Sequence, residues 1–463
     1  MQHSRRSLFV VLIAVSLAML ATSASFAQAP RVTIFEGARL LTGDGVVIED
    51  SAFIVANDRI VGVGRRGQLP PPPGAVRVDL SGKTVMPALV DDHVHMGYRK
   101  GTSFSADNYT RENLTDMLDR YAFYGVAAIL ETGTGRGELP YEVRAAAHSS
   151  TRYLTAGMGF GMPNAGPGGA MRDSAYGVTT EEEARRDVRE LAAHKPDMVK
   201  IWVDDRNGTV QKLTPALYRA IIDEAHKHNV RVMAHVFALD DVKDLVRSGI
   251  DGFAHMVRDK DVDDELIGLL KQRPDVFFVE TLWGERRALY TEKPAWVDDP
   301  ALRQAFSAED IKQLGEQLTP DPKADPKAVA RARALGATNL RNTAKLYAAG
   351  VRLGLGTDTG GVTGGQFFGL GSHVELELLV TKAGLTPMQA ISLGTHTAAE
   401  ILHLDDLGMI GPGKSADFIV LDANPLDNIA NTRKIAQVYL RGAEVPRAAQ
   451  SAKWQAANAQ PAK

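Results

Sequence analysis

The sequence predicts an α/β chain: a TIM-like (β/α)8 barrel carrying a small β-sandwich formed by its N- and C-terminal segments. Three observations predict it. From Val85 onward, apolar strand-like runs alternate with helix-like segments, the pattern of βα units around a parallel sheet. Eight such runs fit into about 300 residues, the usual size of an eight-stranded barrel. Short β-patterned segments with turn residues between them flank this region on both sides.

The 463 residues suffice for one large domain with an accessory unit. The formal charge of −3 gives no argument for nucleic acid or an acidic membrane surface as a partner. Cysteine is absent, which excludes disulfides and thiolate ligands. Any metal would need histidine, carboxylate or modified-lysine ligands.

The first element reads as an export signal over residues 1–27. Arg5 and Arg6 form a basic start, and Leu8 to Leu20 is apolar but short for a bilayer span. Ser25-Phe26-Ala27 offers small residues before a cut after Ala27. Ser4-Arg5-Arg6 gives only a fragment of a twin-arginine signal. A periplasmic or secreted location is expected, with no membrane attachment of the mature form. An uncleaved anchor is the alternative.

Residues 28–84 and 407–445 are expected to form the accessory sandwich. Val32 to Leu41, Val46 to Val55, Arg59 to Val63 and Val76 to Leu80 read as strands, as do Asp417 to Asp422 and Gln437 to Arg441. Residues 85–406 are expected to form the barrel. Its strands read as Val85 to His93, Val126 to Glu131, Tyr153 to Gly157, Met198 to Val203, Arg231 to Val236, Ile250 to His255, Val276 to Thr281 and Arg352 to Asp358. Asn113 to Tyr124, Thr180 to His194, Pro215 to His228 and Asp240 to Ser248 read as helices between them. Gly157 to Gly177 reads as an active-site loop. Leu282 to Pro300, with Trp283, Tyr290 and Trp296, reads as a lid, a substrate wall or ordinary loop packing. Thr319 to Pro326 reads as a hinge between helices. Residues 446–463 are Ala/Gln-rich and are expected to be a flexible tail.

The strand ends carry the chemistry. In Val90-Asp91-Asp92-His93-Val94-His95, side chains two apart share a face of the strand, so His93 and His95 project together. Lys200 lies on the fourth strand, His235 ends the fifth, His255 ends the sixth, and Asp358 ends the eighth. In a barrel the C-terminal strand ends form the active site. Each residue has a structural alternative: Lys200 paired with Asp204 or Asp205, His235 as a satisfied core histidine. His226 and His228 on a helix, together with His148, His194, His396 and His403, read as surface or structural.

The set His-x-His, Lys, His, His, Asp resembles the amidohydrolase superfamily, in its prolidase-like, imidazolonepropionase-like and ochratoxinase-like branch. Pro87-Ala88-Leu89-Val90-Asp91 is similar to the family's Pro-Gly-Leu entry into the first strand. Gly411-Pro412-Gly413-Lys414-Ser415-Ala416-Asp417-Phe418 is similar to its return into the accessory sheet. The resemblance implies two divalent ions, zinc by preference. His93, His95 and Asp358 would hold one, His235 and His255 the other, with carbamylated Lys200 bridging them. It implies hydrolysis of a small-molecule amide by hydroxide held on the metals, with Asp358 as proton shuttle. Substrates would be N-acyl amino acids, dipeptides or ochratoxin-type amides. An esterase, lactonase, carbamate hydrolase or cyclic-amide hydrolase is the alternative. A binding protein that kept only the barrel is disfavoured by the intact ligand set. Gly168-Gly169-Ala170 departs from the Gly-Gly-His of dipeptidase-like relatives and weakens a dipeptidase reading. Tyr98, Arg99, Trp202 and His373 are candidate pocket residues. A homo-oligomer is expected.

Overall fold

The computed structural model describes residues 32–146 and 151–459. The expected signal segment and His148 lie outside the described residues. Among those residues no helix is long and apolar enough to cross a membrane.

The fold is a TIM-like barrel. Two all-parallel sheets make it. One orders Leu89–Val94, Val126–Glu131 and Arg152–Thr155; the other runs from Val199–Val203 through Val232–Val236, Gly252–Ala254 and Phe277–Glu280 to Arg352–Leu355. Asp197 N donates to Thr155 O at 2.9 Å between the two sheets. At the other edge Val94 forms a parallel bridge with Thr359. The strands are buried on both faces because helices cover them outside and facing strands fill them inside. This explains near-continuous apolar runs such as Val126–Glu131, where every residue is buried.

The helices between strands start and stop on sequence signals. Thr180 caps Glu181–Ala193 with a full capping box to Glu183. Pro215 opens the Pro215–Lys227 helix at a position where its missing N–H costs nothing. Alternating charges on the solvent face leave apolar stripes such as Ala184, Val188 and Leu191 for the sheet.

The run expected as one strand from Val85 to His93 is two strands in two different sheets. Thr84–Pro87 pairs antiparallel with Phe418–Leu421 and parallel with Arg39–Leu41, whereas Leu89–Val94 enters the barrel. The break falls after Pro87, whose nitrogen carries no proton for a ladder bond. The accessory unit has a four-stranded and a six-stranded sheet, the latter drawn from both ends of the chain. Phe35 and Phe53 of the first meet Phe418 of the second edge-on at 5.2 and 5.1 Å. Val32 to Leu41 and Val46 to Val55 are each split. Gly37 at φ 92° and Asp50 at φ 47° turn the chain, which a continuous strand cannot do.

Three further expectations are corrected. Gly157 to Gly177, expected as a loop throughout, begins and ends in short strands, Gly159–Gly161 and Ala175–Gly177, that extend the sheet beside Val199–Val203, with the loop between them. Trp283 is no substrate wall, being fully buried with its indole N–H donating to Gly364 O at 2.9 Å. Residues 447–459 are no frayed tail. Arg447–Asn458 is a helix whose Trp454 is 3 % exposed and donates to Asp116 Oδ1 at 2.8 Å. Thr319 to Pro326 does link two helices, Ala308–Leu318 and Pro326–Ala348.

Candidate metal centre

The first and last barrel strands are laced together at one point. Thr357 N and Asp358 N donate to His93 O at 3.2 and 2.8 Å, and His95 N donates to Thr359 O at 2.8 Å. Asp358 takes φ 54°, and this left-handed turn ends its strand. Its Oδ1 lies 3.1 Å from His95 Nε2 and 3.6 Å from His93 Nε2. One donor atom from each of the three residues lies within 4.8 Å of the others.

His255, also left-handed at φ 69°, extends the cluster. Its ring centroid is 4.8 Å from His93 and 4.7 Å from His235. Four imidazoles and a carboxylate from four strands therefore converge on one end of the barrel. Lys200 lies beside them, 1 % exposed in the Val199–Val203 strand. Gly133, at φ 84°, makes room for it: a Cβ there would meet Lys200 Cβ at 2.6 Å.

Fixed hydrogen bonds orient the imidazoles. Thr134 Oγ1 donates to Glu131 Oε1 at 2.6 Å. A hydroxyl has one proton. Having given it to Glu131, Thr134 must accept from His95 Nδ1, 3.1 Å away. The lone pair of His95 is thereby left on Nε2, facing Asp358. Glu131 is fully buried and also accepts from Thr134 N and Thr155 Oγ1. Burial raises its pKa, and the Thr134 hydrogen bond opposes that rise. His255 Nδ1 lies 2.6 Å from Thr281 Oγ1. His235 Nε2 faces Asp204 Oδ2 at 3.2 Å. Asp204 is thus spoken for by His235 and not by Lys200. Burial acts to raise Asp204, but the His235 hydrogen bond holds it down at about 2.

The charges suit a cation-binding cavity. Burial, and then the charge of Lys200, lower His93 well below the ordinary histidine range. Burial lowers His235 and His255 as well. Neutral imidazoles are the form that can donate a lone pair. Burial pushes Lys200 down to about 7, against the opposing charges of Asp358 and Glu131. Burial would raise Asp358, but the facing His93 and His95 side chains hold it well below the usual carboxylate range. His93 Nε2 and His95 Nε2 both face Asp358 Oδ1, and two imidazole nitrogens and a carboxylate so gathered fit a divalent ion.

Of the candidate pocket residues, two are placed elsewhere. His373 is fully buried with Nε2 2.7 Å from Tyr124 O, so its polar atom is used on the neighbouring helix end. Tyr98 is 1 % exposed and donates to Thr134 O at 2.8 Å, supporting the loop under His95. Arg99 donates to the carbonyls of Gly361 and Val362 at 3.0 and 3.2 Å and lies over the Phe104 ring. It pins the loop after Asp358. Trp202 is 6 % exposed, with the Lys200 ammonium 5.7 Å from its ring centroid. The sequence reading missed Thr134, Glu131, Thr281 and Thr363. Thr363 Oγ1 donates to Asp358 Oδ2 at 3.2 Å. Glu131 ends its strand, Thr281 and Thr134 lie shortly past theirs, and Thr363 lies in the loop after Asp358.

Comparison with known proteins agrees with this geometry. The amidohydrolase family profile matches residues 84–445. The chain is 26 % identical to ochratoxinase of Aspergillus niger, over 86 % of this chain and 83 % of that protein. It is 24 % identical to imidazolonepropionase of Streptomyces avermitilis, over 86 % and 88 % of the two chains. A solved structure from Bifidobacterium longum, assigned as a prolidase, superposes with a TM-score of 0.70 at 25 % identity, over 93 % and 99 %. The chain belongs to the amidohydrolase family and is a hydrolase acting on carbon–nitrogen bonds.

Proposed function

We propose that the protein is a binuclear metal-dependent amidohydrolase that cleaves an amide of a small molecule. The observation that carries this is the convergence of His93, His95 and Asp358 within 4.8 Å of one another, beside a buried Lys200. His93, His95 and Asp358 would hold one ion, and His235 and His255 the other. A lysine at about 7 presents a neutral amine at neutral pH, the form that adds to carbon dioxide and releases a proton. The resulting carbamate at Lys200 would supply the anion shared by both ions. Zinc suits the donors. Two such ions acidify a water and polarise a carbonyl oxygen.

The remaining steps belong to the chain's own groups. Asp358 Oδ1 would take a proton from the attacking water and hand it to the leaving nitrogen. Thr363 holds the other carboxylate oxygen at 3.2 Å and fixes its direction. Thr134 and Thr281 hold the imidazoles in one tautomer and orientation. The reading takes the eight strands as a closed barrel on a β-sandwich, supported by the Val94–Thr359 bridge and the Phe418 contacts. It takes the mature chain as exported and oligomeric, working on small molecules.

The resemblance to ochratoxinase and imidazolonepropionase favours an amide over an ester. The test is hydrolysis by zinc-loaded mature protein of N-acyl amino acids, dipeptides, aryl amides, cyclic imides, lactones and carbamates, followed by mass spectrometry. Cleavage of amides is expected. Turnover confined to lactones, carbamates or esters would overturn the amide assignment and leave the metal centre standing.

A further inference from the structure

Beyond the metal centre, a cavity of about 880 Å³ opens between the Arg286–Leu289 turn and the helices Ala308–Leu318 and Pro326–Ala348. Two of its lining residues, Gly284 and Thr363, also touch Asp358. A Cβ at Gly284 would stand 3.5 Å from Asp358 Oδ2, and Thr363 donates to that same oxygen. The cavity and the reacting centre therefore share a wall. Leu318, Val329, Ala288 and Tyr290 give it an apolar body.

Its charges are unevenly satisfied. The acids on its wall all have partners: Glu285 pairs with Arg258 at 2.5 Å, Glu316 lies 4.0 Å from Lys312, and Asp321 accepts from Lys323 N at 2.8 Å. The two arginines on the wall, Arg287 and Arg333, form no ion pair or hydrogen bond among the described residues. Arg287 also adds to a cationic corner. Its charge, after burial, depresses both Arg99 and Arg286. Those two give donors to backbone carbonyls and Gln317 and keep only a buried Nε each without a partner, whereas the exposed Arg287 keeps its whole guanidinium open to an anion.

We propose that this cavity receives a free carboxylate on an apolar-bodied amide, with Arg287 as its partner and Arg333 as a second, outer cation. The proposal rests on the amidohydrolase reading above and narrows its substrate class to N-acyl amino acids. It moves to Arg287 the role that Arg99 was expected to play. A planar guanidinium matches a carboxylate in two parallel hydrogen bonds.

The test compares N-benzoyl derivatives of glycine, leucine and phenylalanine with their neutral carboxamides, in the zinc-loaded enzyme. Arg287→Gln should lower the acid-over-carboxamide ratio of kcat/KM by about tenfold, mainly through KM. Arg287→Lys should restore much of it, and Arg333→Gln should have a smaller effect of the same sign. An equal loss on acids and carboxamides, or an unchanged ratio, would overturn the proposal. Calorimetric binding of N-benzoylphenylalanine to the holoenzyme separates this from the activity reading. If no amide is cleaved but binding depends on Arg287, the catalytic assignment fails and the cavity assignment holds. If no binding occurs either, the cavity assignment fails as well.

Discussion

Thr134→Val replaces a hydroxyl by a methyl of nearly the same shape and removes two interactions at once. Glu131 keeps Thr134 N and Thr155 Oγ1 but loses the 2.6 Å donor. His95 Nδ1–H loses the acceptor 3.1 Å away. A buried polar group left without its partner costs about 1–3 kcal/mol, and His95 Nδ1–H is the one so left, so the folded protein should lose about that much. The imidazole also loses the bond that keeps its Nε2 lone pair toward Asp358. Removing such an outer partner lowers metal affinity by about 10–100-fold. The assay is zinc affinity by competition with a chromophoric chelator, beside a circular-dichroism melt. Thr155→Val is the control, since it takes a donor from the same carboxylate without touching His95. It should cost stability and leave zinc affinity near the parent value. Zinc affinity of a folded Thr134→Val variant within twofold of the parent would refute the relay from Glu131 through Thr134 to His95.

Asp358→Asn should retain bound metal and lose most activity, about a hundredfold or more; steady-state turnover near the parent rate would refute the proton-shuttle role. Lys200→Ala should bind fewer than two metal ions per chain by elemental analysis, and an unchanged two-ion content would count against a carbamate bridge. Trp454→Ala should destabilise the protein by about 3–5 kcal/mol, because the ring packs edge-on against Phe123 at 5.4 Å beneath Arg120. A melting temperature equal to the parent's would show that the Arg447–Asn458 helix contributes nothing.

The sequence was most legible where one rule acted alone. Val126–Glu131 is a continuous apolar run, and it is a strand over those same residues. Pro215 opens its helix where proline should. Legibility failed where tertiary context overrode a local pattern. The Val85 to Val90 stretch is apolar throughout, yet it is divided between two sheets. Only the missing N–H of Pro87 marked the boundary. Gly159–Gly161 is three residues long and two of them are glycine, too little for any periodicity. The Ala/Gln-rich C-terminus contains good helix formers, but its docking depends on a few scattered side chains, the Trp454 ring and Arg447, which donates to Phe123 O and Ile435 O. At the site, the histidines, Lys200 and Asp358 were readable because strand ends in a barrel meet. The threonines that orient them were not, since a threonine near a strand end is common and only its neighbours give it a role. His373 was misjudged because an isolated histidine gives no sign that a backbone carbonyl will take up its ring nitrogen.

The division of the Thr84 to Val94 run between two sheets bears on the order in which the chain can fold. Val85 pairs with Val420, roughly 330 residues later in synthesis, and closing so long a loop is entropically slow. One edge of Thr84–Pro87 therefore lacks its neighbour until residues past Phe418 have been made, although its other edge already has Arg39–Leu41 beside it. A product truncated before Phe418 would carry that strand with an open edge, ready to pair with another chain. The accessory sheet beside the reactive centre is thus closed late, by a strand that follows every barrel strand in the sequence.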